Sequence, residues 1–176
     1  MTKLLRFAEL FIVLSFSCAV SAQNLTDYYL NEGKIHFQVP SDWPMILQKN
    51  EGNPQFLAFQ VKDPADLNTG EASRVTVTTK LLGDAQRFQE FVDAGLDKAK
   101  QTPGYTQDSE NKDSSSLRYT GLNGKTHYQY RETFFLNGTI GVHVRCLRPQ
   151  LSATTKAWSE AYEKGCDQVI SSLKPR

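Results

Sequence analysis

Residues 125–147 read KTHYQYRETFFLNGTIGVHVRCL, and their reading decides the fold. Two runs rich in aromatic and β-branched residues flank Asn137-Gly138. Asn-Gly between such runs signals a two-residue hairpin, because a type I′ turn needs positive φ at both central positions. The reading gives strands over 125–136 and 139–147, the second ended by Pro149. With Asn137-Gly138 as the loop, Thr133 stands opposite Val142, Arg131 opposite Val144 and Gln129 opposite Cys146, all on one face. The other face carries Tyr128, Tyr130, Glu132, Phe134, His143, Arg145 and Leu147.

Working outward, residues 34–39 alternate with Ile35, Phe37 and Val39 on one side, and Pro40 stops the strand. Residues 45–48, 55–62 and 73–80 read as further strands, with a Pro/Asn/Gly loop over 62–71. The period then changes. Over 84–101, Phe88, Phe91, Val92, Leu96 and Ala99 recur at helical spacing, Asp84 is placed to cap the start and Pro103-Gly104 ends the helix. One apolar stripe on a charged helix predicts that it lies on a sheet and faces water elsewhere. A short strand at 117–120 turns through Gly121-Leu122-Asn123-Gly124 into the hairpin. A last helix over 152–173 presents Trp158, Ala161, Tyr162, Val169, Ile170 and Leu173. The expected class is α+β, a mostly antiparallel sheet of about six strands with one helix after the fourth and a long C-terminal helix.

The amino terminus carries Lys3 and Arg6, an apolar run over 7–20, and then Ser21-Ala22-Gln23. A basic start, a short apolar core and small residues at −3 and −1 (Val20, Ala22) read as a secretory signal peptide cleaved before Gln23. The run is too short, and with Glu9 too polar, for a transmembrane span. The place of action is then periplasmic or secreted. A bacterial periplasm is favoured by the signal's compactness, although Asn24 and Asn137 open glycosylation sequons.

The whole chain has 20 basic and 19 acidic side chains. Loss of Lys3, Arg6 and Glu9 leaves the remainder formally neutral. That argues against nucleic acid, whose binders show a basic excess, and gives no pull toward an anionic membrane. The stretch 107–116 (QDSENKDSSS) is polar and reads as a loop. Cys146 and Cys166, in an oxidising compartment and without Cys-X-X-Cys spacing, read as a disulfide that clamps the last helix onto the sheet.

Four features recur together: FQVPSDW, with its Val39-Pro40 and Trp43; a helix after the fourth strand; the turn at 121–124 leading into a long hairpin; and a closing Ile170-Ser171-Ser172-Leu173-Lys174. In these the chain resembles the PsbP-like α/β/α sandwich family, over nearly all of residues 30–175. That family includes photosystem accessory proteins, a nuclear Ran-release factor and bacterial periplasmic proteins. With the expected signal peptide over 1–22 set apart, the resemblance implies a single PsbP-like α+β domain over 23–176. It also implies a non-enzymatic role in binding another protein. Some members of the fold are chaperones of toxin-secretion systems or immunity proteins, which makes an exported toxin one expected partner. The family has no shared catalytic residues to carry over.

The residues themselves carry no Gly-X-Ser-X-Gly elbow, phosphate loop or zinc helix. His127 and His143 fall on opposite faces of the hairpin and His36 lies on another strand, so no metal site and no cofactor are expected. Tyr128, Tyr130, Glu132, His143 and Arg145 form the candidate partner-binding surface, since aromatic and arginine side chains dominate hot spots. The plainer reading places this face under the 84–101 helix, with the tyrosines as core. Trp43 is expected to plug the end of the core. The alternatives are a hydrolase built on Glu132 and His143, and a carrier of a small apolar ligand between sheet and helix.

Overall fold

Strands form wherever the sequence suggests them, and in two further places, at Leu25–Leu30 and Thr106–Gln107. The computed structural model describes residues 24–66, 72–84, 86–109 and 116–173. The expected signal peptide, the end of the 62–71 loop, most of the polar stretch 107–116, and Lys174 lie outside the described residues. Strands β1 (Leu25–Leu30) and β2 (Ile35–Pro40) pair as a separate antiparallel hairpin. The main sheet contains β3 (Met45–Lys49), β4 (Gln55–Val61), β5 (Ser73–Leu81), β6 (Thr106–Gln107), β7 (Ser116–Asn123), β8 (Thr126–Asn137) and β9 (Ile140–Pro149). Its spatial order is β3-β4-β5-β9-β8-β7-β6, and every pair is antiparallel. Helix α1 (Gln86–Lys100) follows β5 and α2 (Lys156–Leu173) closes the chain.

The α+β sandwich is as expected, with seven strands in the main sheet rather than about six. β1 escapes the sequence because only Leu30 on it is fully buried, leaving little alternation to read. Asp84 caps α1, its carboxylate accepting the Arg87 N–H at 2.9 Å. The second helix starts at Lys156 rather than 152, because the Thr155 hydroxyl accepts the Trp158 N–H at 3.2 Å and sets the cap there.

The central hairpin is slid by two residues from the expected register. Thr133 pairs with Val144, Arg131 with Cys146 and Gln129 with Arg148. Asn137 pairs with Ile140, so Asn137 stays in the ladder and Gly138-Thr139 form the loop. Only Gly138 there has positive φ (59°), the demand of a type II′ turn rather than type I′. The preceding turn repeats the device: Asn123 pairs with Thr126 and Gly124 has φ 61°. Gly121 and Leu122, expected in that turn, are part of β7. A slip of two keeps the period of the pleat, so every side chain stays on its expected face.

One face of the sheet packs against α2 and the β1–β2 hairpin. Phe37, Val39, Phe59, Val75, Val77, Val142, Val144 and Val169 meet there with no more than 1% of their surface exposed. Trp43 plugs this core, stacking on Tyr162 with ring centroids 6.0 Å apart. A Cβ on Gly165 would run into the Trp43 ring, so glycine lets α2 close on it. Cys146 and Cys166 form a disulfide with Cα atoms 6.4 Å apart, tying β9 to α2 as predicted. Gly165 and Cys166 therefore join the buried stripe of α2, while Ala161, expected in it, is exposed because the stripe turns past it. Among the described residues no helix is long and apolar enough to cross a membrane.

Candidate functional site

The opposite face of the sheet carries Tyr119 on β7, Tyr128, Tyr130, Glu132 and Phe134 on β8, and His143, Arg145 and Leu147 on β9. Helix α1 lies over it. A Cβ on Gly95 would stand 2.6 Å from Phe134, and one on Gly141 would stand 2.9 Å from Phe91 and Leu82. Two glycines, one on the helix and one on the sheet, thus set how closely α1 approaches. Phe91 meets Phe134 edge-on at 5.9 Å and His143 at 6.5 Å. Ala99 packs with Leu117 and Tyr119. The approach is light all the same: of the α1 side chains only Ala99 is buried, and Phe88, Phe91, Val92 and Leu96 are half-buried.

Beneath the helix is a charged cluster. Glu132 is 0% exposed. Its Oε1 accepts the Tyr119 hydroxyl at 2.7 Å and Arg145 Nη2 and Nε at 2.8 and 3.0 Å. Its Oε2 lies 2.6 Å from His143 Nε2. A carboxylate only accepts, so Nε2 is the protonated ring nitrogen. Burial pushes the Glu132 carboxyl up, but the His143 hydrogen bond, the Arg145 charge and the Tyr119 hydroxyl outweigh it and hold the pKa at about 2. Burial and then the neighbouring Glu132 charge raise the Tyr119 phenol. Burial depresses Arg145, but the Glu132 charge more than reverses this and its pKa is raised. Tyr119 and Tyr130 stack almost parallel with centroids 4.6 Å apart, and Phe134 stacks on His143 at 4.4 Å.

Of the five residues predicted to form the site, the fold brings Glu132, His143 and Arg145 into direct contact and attaches Tyr130 through Tyr119. Tyr128 sits further along β8, opposite Pro149, and is 3% exposed. The surface of the group is carried by half-buried Tyr130 and by the side chains of His143 and Arg145, 17% and 26% exposed. Sequence reasoning missed Tyr119, which donates to Glu132. The signal for it was the β7–β8 register, in which Tyr119 faces Tyr130, and that register was hidden by the misplaced turn at 121–124.

Beside the cluster, where α1 leaves β5 uncovered, opens a cleft of about 380 Å³. Arg74, Thr76 and Thr78 of β5 line one side and Ala94, Gly95 and Lys98 of α1 the other. Among the described residues no group of three or more His, Cys, Asp or Glu side chains converges as metal ligands would.

No protein-family model matches the chain, and no curated protein matches it in sequence. Among solved structures it is similar to LpqN, involved in cell envelope biogenesis of Mycobacterium tuberculosis, with TM-score 0.50 and 8% identity over 87% of this chain and 84% of that one. It is similar to a point mutant of the protein Mog1 with TM-score 0.51 and 12% identity, over 85% of this chain and 94% of that one. The Saccharomyces cerevisiae Ran-binding protein Mog1p gives TM-score 0.49 and 12% identity, over 86% and 95%. At these identities the likeness concerns the fold, which this chain shares with LpqN and Mog1.

Proposed function

We propose that this chain is an exported, non-catalytic protein-binding module of PsbP-like type, acting in the periplasm or outside the cell, with an immunity or accessory role that occludes its partner. The observation that carries the reading is the closure of the Glu132 cluster. A general base needs a pKa near the working pH and a free lone pair aimed at substrate. Glu132 has a pKa of about 2, no exposed surface and both oxygens engaged. That counts against a hydrolase built on Glu132 and His143. What remains at the surface is an aromatic and arginine rim, Tyr130, His143 and Arg145, held from below by Tyr119 and Glu132. Rigid aromatic and arginine side chains suit a protein partner. The Cys146–Cys166 disulfide supports an oxidising compartment.

A second surface favours a different docking mode. Among the described residues β3 is an edge strand of the sheet, and Met45, Ile46 and Leu47 on it are 41%, 41% and 53% exposed. Unpaired apolar edges accept an added strand. Photo-crosslinking groups placed at Ala94, above the rim, and at Leu47, on the edge, separate the two in the protein's own envelope. A discrete protein adduct from Ala94 is expected. Adducts from Leu47 alone move the partner to the β3 edge. Adducts from neither, together with a turnover abolished by Glu132→Gln, overturn the binding reading.

A further inference from the structure

The cleft between α1 and β5 has an unusual charge balance. Three cations line it, Arg74, Lys98 and Arg145, and among the described residues no carboxylate does. Glu132 lies beneath and is committed to Arg145, His143 and Tyr119. Arg74 and Lys98 make no ion pair with a described residue, and Arg74 Nε is buried without a hydrogen-bond partner. A buried guanidinium N–H left unpaired costs free energy that an incoming acceptor recovers. Thr76 and Thr78 share the strand face of Arg74 and stand opposite Arg145 and His143 in the β5–β9 ladder.

The remaining wall is apolar. Phe91, Phe134, Ala94 and Leu147 contribute to the lining, and the apolar stripe of α1 is only half-buried. A helix resting this lightly on a sheet, with glycine at its closest point, leaves room for a flat or chain-like body beside it. The volume is at the lower end of the range for small-molecule sites.

The other arginine cluster of the protein makes an instructive contrast. Arg118, Arg131 and Arg148, on the α2 face, converge on Glu163 at 3.1, 3.8 and 4.0 Å, and Asp167 also pairs with Arg131. That cluster carries its own counter-ions. In the α1 cleft Glu132 is the counter-ion of Arg145 alone, and Arg74 and Lys98 have none among the described residues.

We propose that the cleft between α1 and β5 binds a small amphipathic anion, an oxyanion head (carboxylate or phosphate monoester) on a short apolar body. The head lies against Arg74, Lys98 and the Thr76 and Thr78 hydroxyls. The body lies along Phe91, Phe134 and Leu147. This sharpens the notion of an apolar-ligand carrier: the charge of the lining selects against a neutral ligand. It is independent of any protein partner, because purified protein alone suffices to test it.

Octanoate, octyl phosphate and octanol are titrated calorimetrically into the disulfide-bonded protein, with backbone amide shifts recorded in parallel. One of the two anions should bind with one-to-one stoichiometry at about millimolar affinity or better, and octanol roughly tenfold or more weakly. The stronger anion identifies the head group. Shifts should centre on Arg74, Thr76, Thr78 and residues 91–98. Arg74→Gln and Lys98→Gln should each weaken the anion about tenfold with unchanged melting, and added salt should weaken it further. Equal binding of octanol, no binding of either anion, shifts confined to the β3 edge, or undiminished binding by a folded Lys98→Gln protein would each overturn the proposal. The amide shifts of the unmutated protein decide the matter even if Arg74→Gln fails to fold.

Discussion

Glu132 and Arg145 face each other across β8 and β9, and the guanidinium places two N–H groups, at 2.8 and 3.0 Å, on a single carboxylate oxygen. The second oxygen is left to His143. This is a buried charge with its acceptor sites used, and the arrangement governs the first two predictions.

Replacing Glu132 by Gln removes the counter-charge while leaving Arg145 in place. Breaking a buried pair from one side costs about 3–5 kcal/mol, since the surviving charge is left uncompensated. Urea unfolding of Glu132→Gln should show a loss of that size. A loss under about 1 kcal/mol would mean that Arg145 swings to water and that the cluster contributes little.

Acid should weaken the fold through the same residue. The Glu132 pKa falls from an ordinary 4.5 to about 2 on folding. A depressed carboxyl contributes stability that is complete above the unfolded pKa and disappears as pH falls through the folded one. The unmutated protein should therefore lose stability between about pH 4.5 and 2, and Glu132→Gln should lose distinctly less over that window. Parallel acid titrations of unfolding free energy check this, and identical slopes would assign the acid sensitivity elsewhere.

The disulfide closes a segment of 20 positions between β9 and α2. In the chain-entropy account, a loop of that length stabilises by roughly 3 kcal/mol. Changing both Cys146 and Cys166 to Ala should lower the melting temperature and the urea midpoint accordingly. Reduction with dithiothreitol should have the same effect on the unmutated protein and none on the double variant.

Trp43 and Gly165 make a tight joint, with no room for a Cβ. Gly165→Ala improves helix propensity, yet it should destabilise by about 1–3 kcal/mol because the added methyl displaces Trp43 from Tyr162. Tryptophan fluorescence of the folded state should shift as the ring is exposed. A stabilised Gly165→Ala protein would show that α2 can slide without cost.

Strands β2 to β5 and β7 to β9, the capped first helix, the faces of the central hairpin and the Cys146–Cys166 pair were legible because each depends on local chemistry or on a period of two, whereas β1 and β6 were not. Asp84 and the breaks at Pro40, Pro103 and Pro149 mark ends by what a side chain or a missing N–H permits. The hairpin faces survived a register error of two residues because the pleat repeats every two. The pairing did not survive it. Glu132 faces Arg145 rather than His143, and that choice rests on whether Asn137 joins the ladder or the loop, a difference of turn type that Asn-Gly does not fix.

Sequence alone thus determined an α+β chain of near-balanced charge with Tyr128, Tyr130, Glu132, His143 and Arg145 on one sheet face and Cys146 and Cys166 as a disulfide pair. Only the tertiary structure decided that α1 covers part of that face, that Tyr119 completes the Glu132 cluster, and that Arg74 and Lys98 meet across a cleft. Arg74 on β5 and Lys98 on α1 are brought together by where the helix comes to rest. That resting place is set by Gly95 against Phe134 and Gly141 against Phe91, contacts between segments far apart in the chain. No periodicity within either segment encodes them.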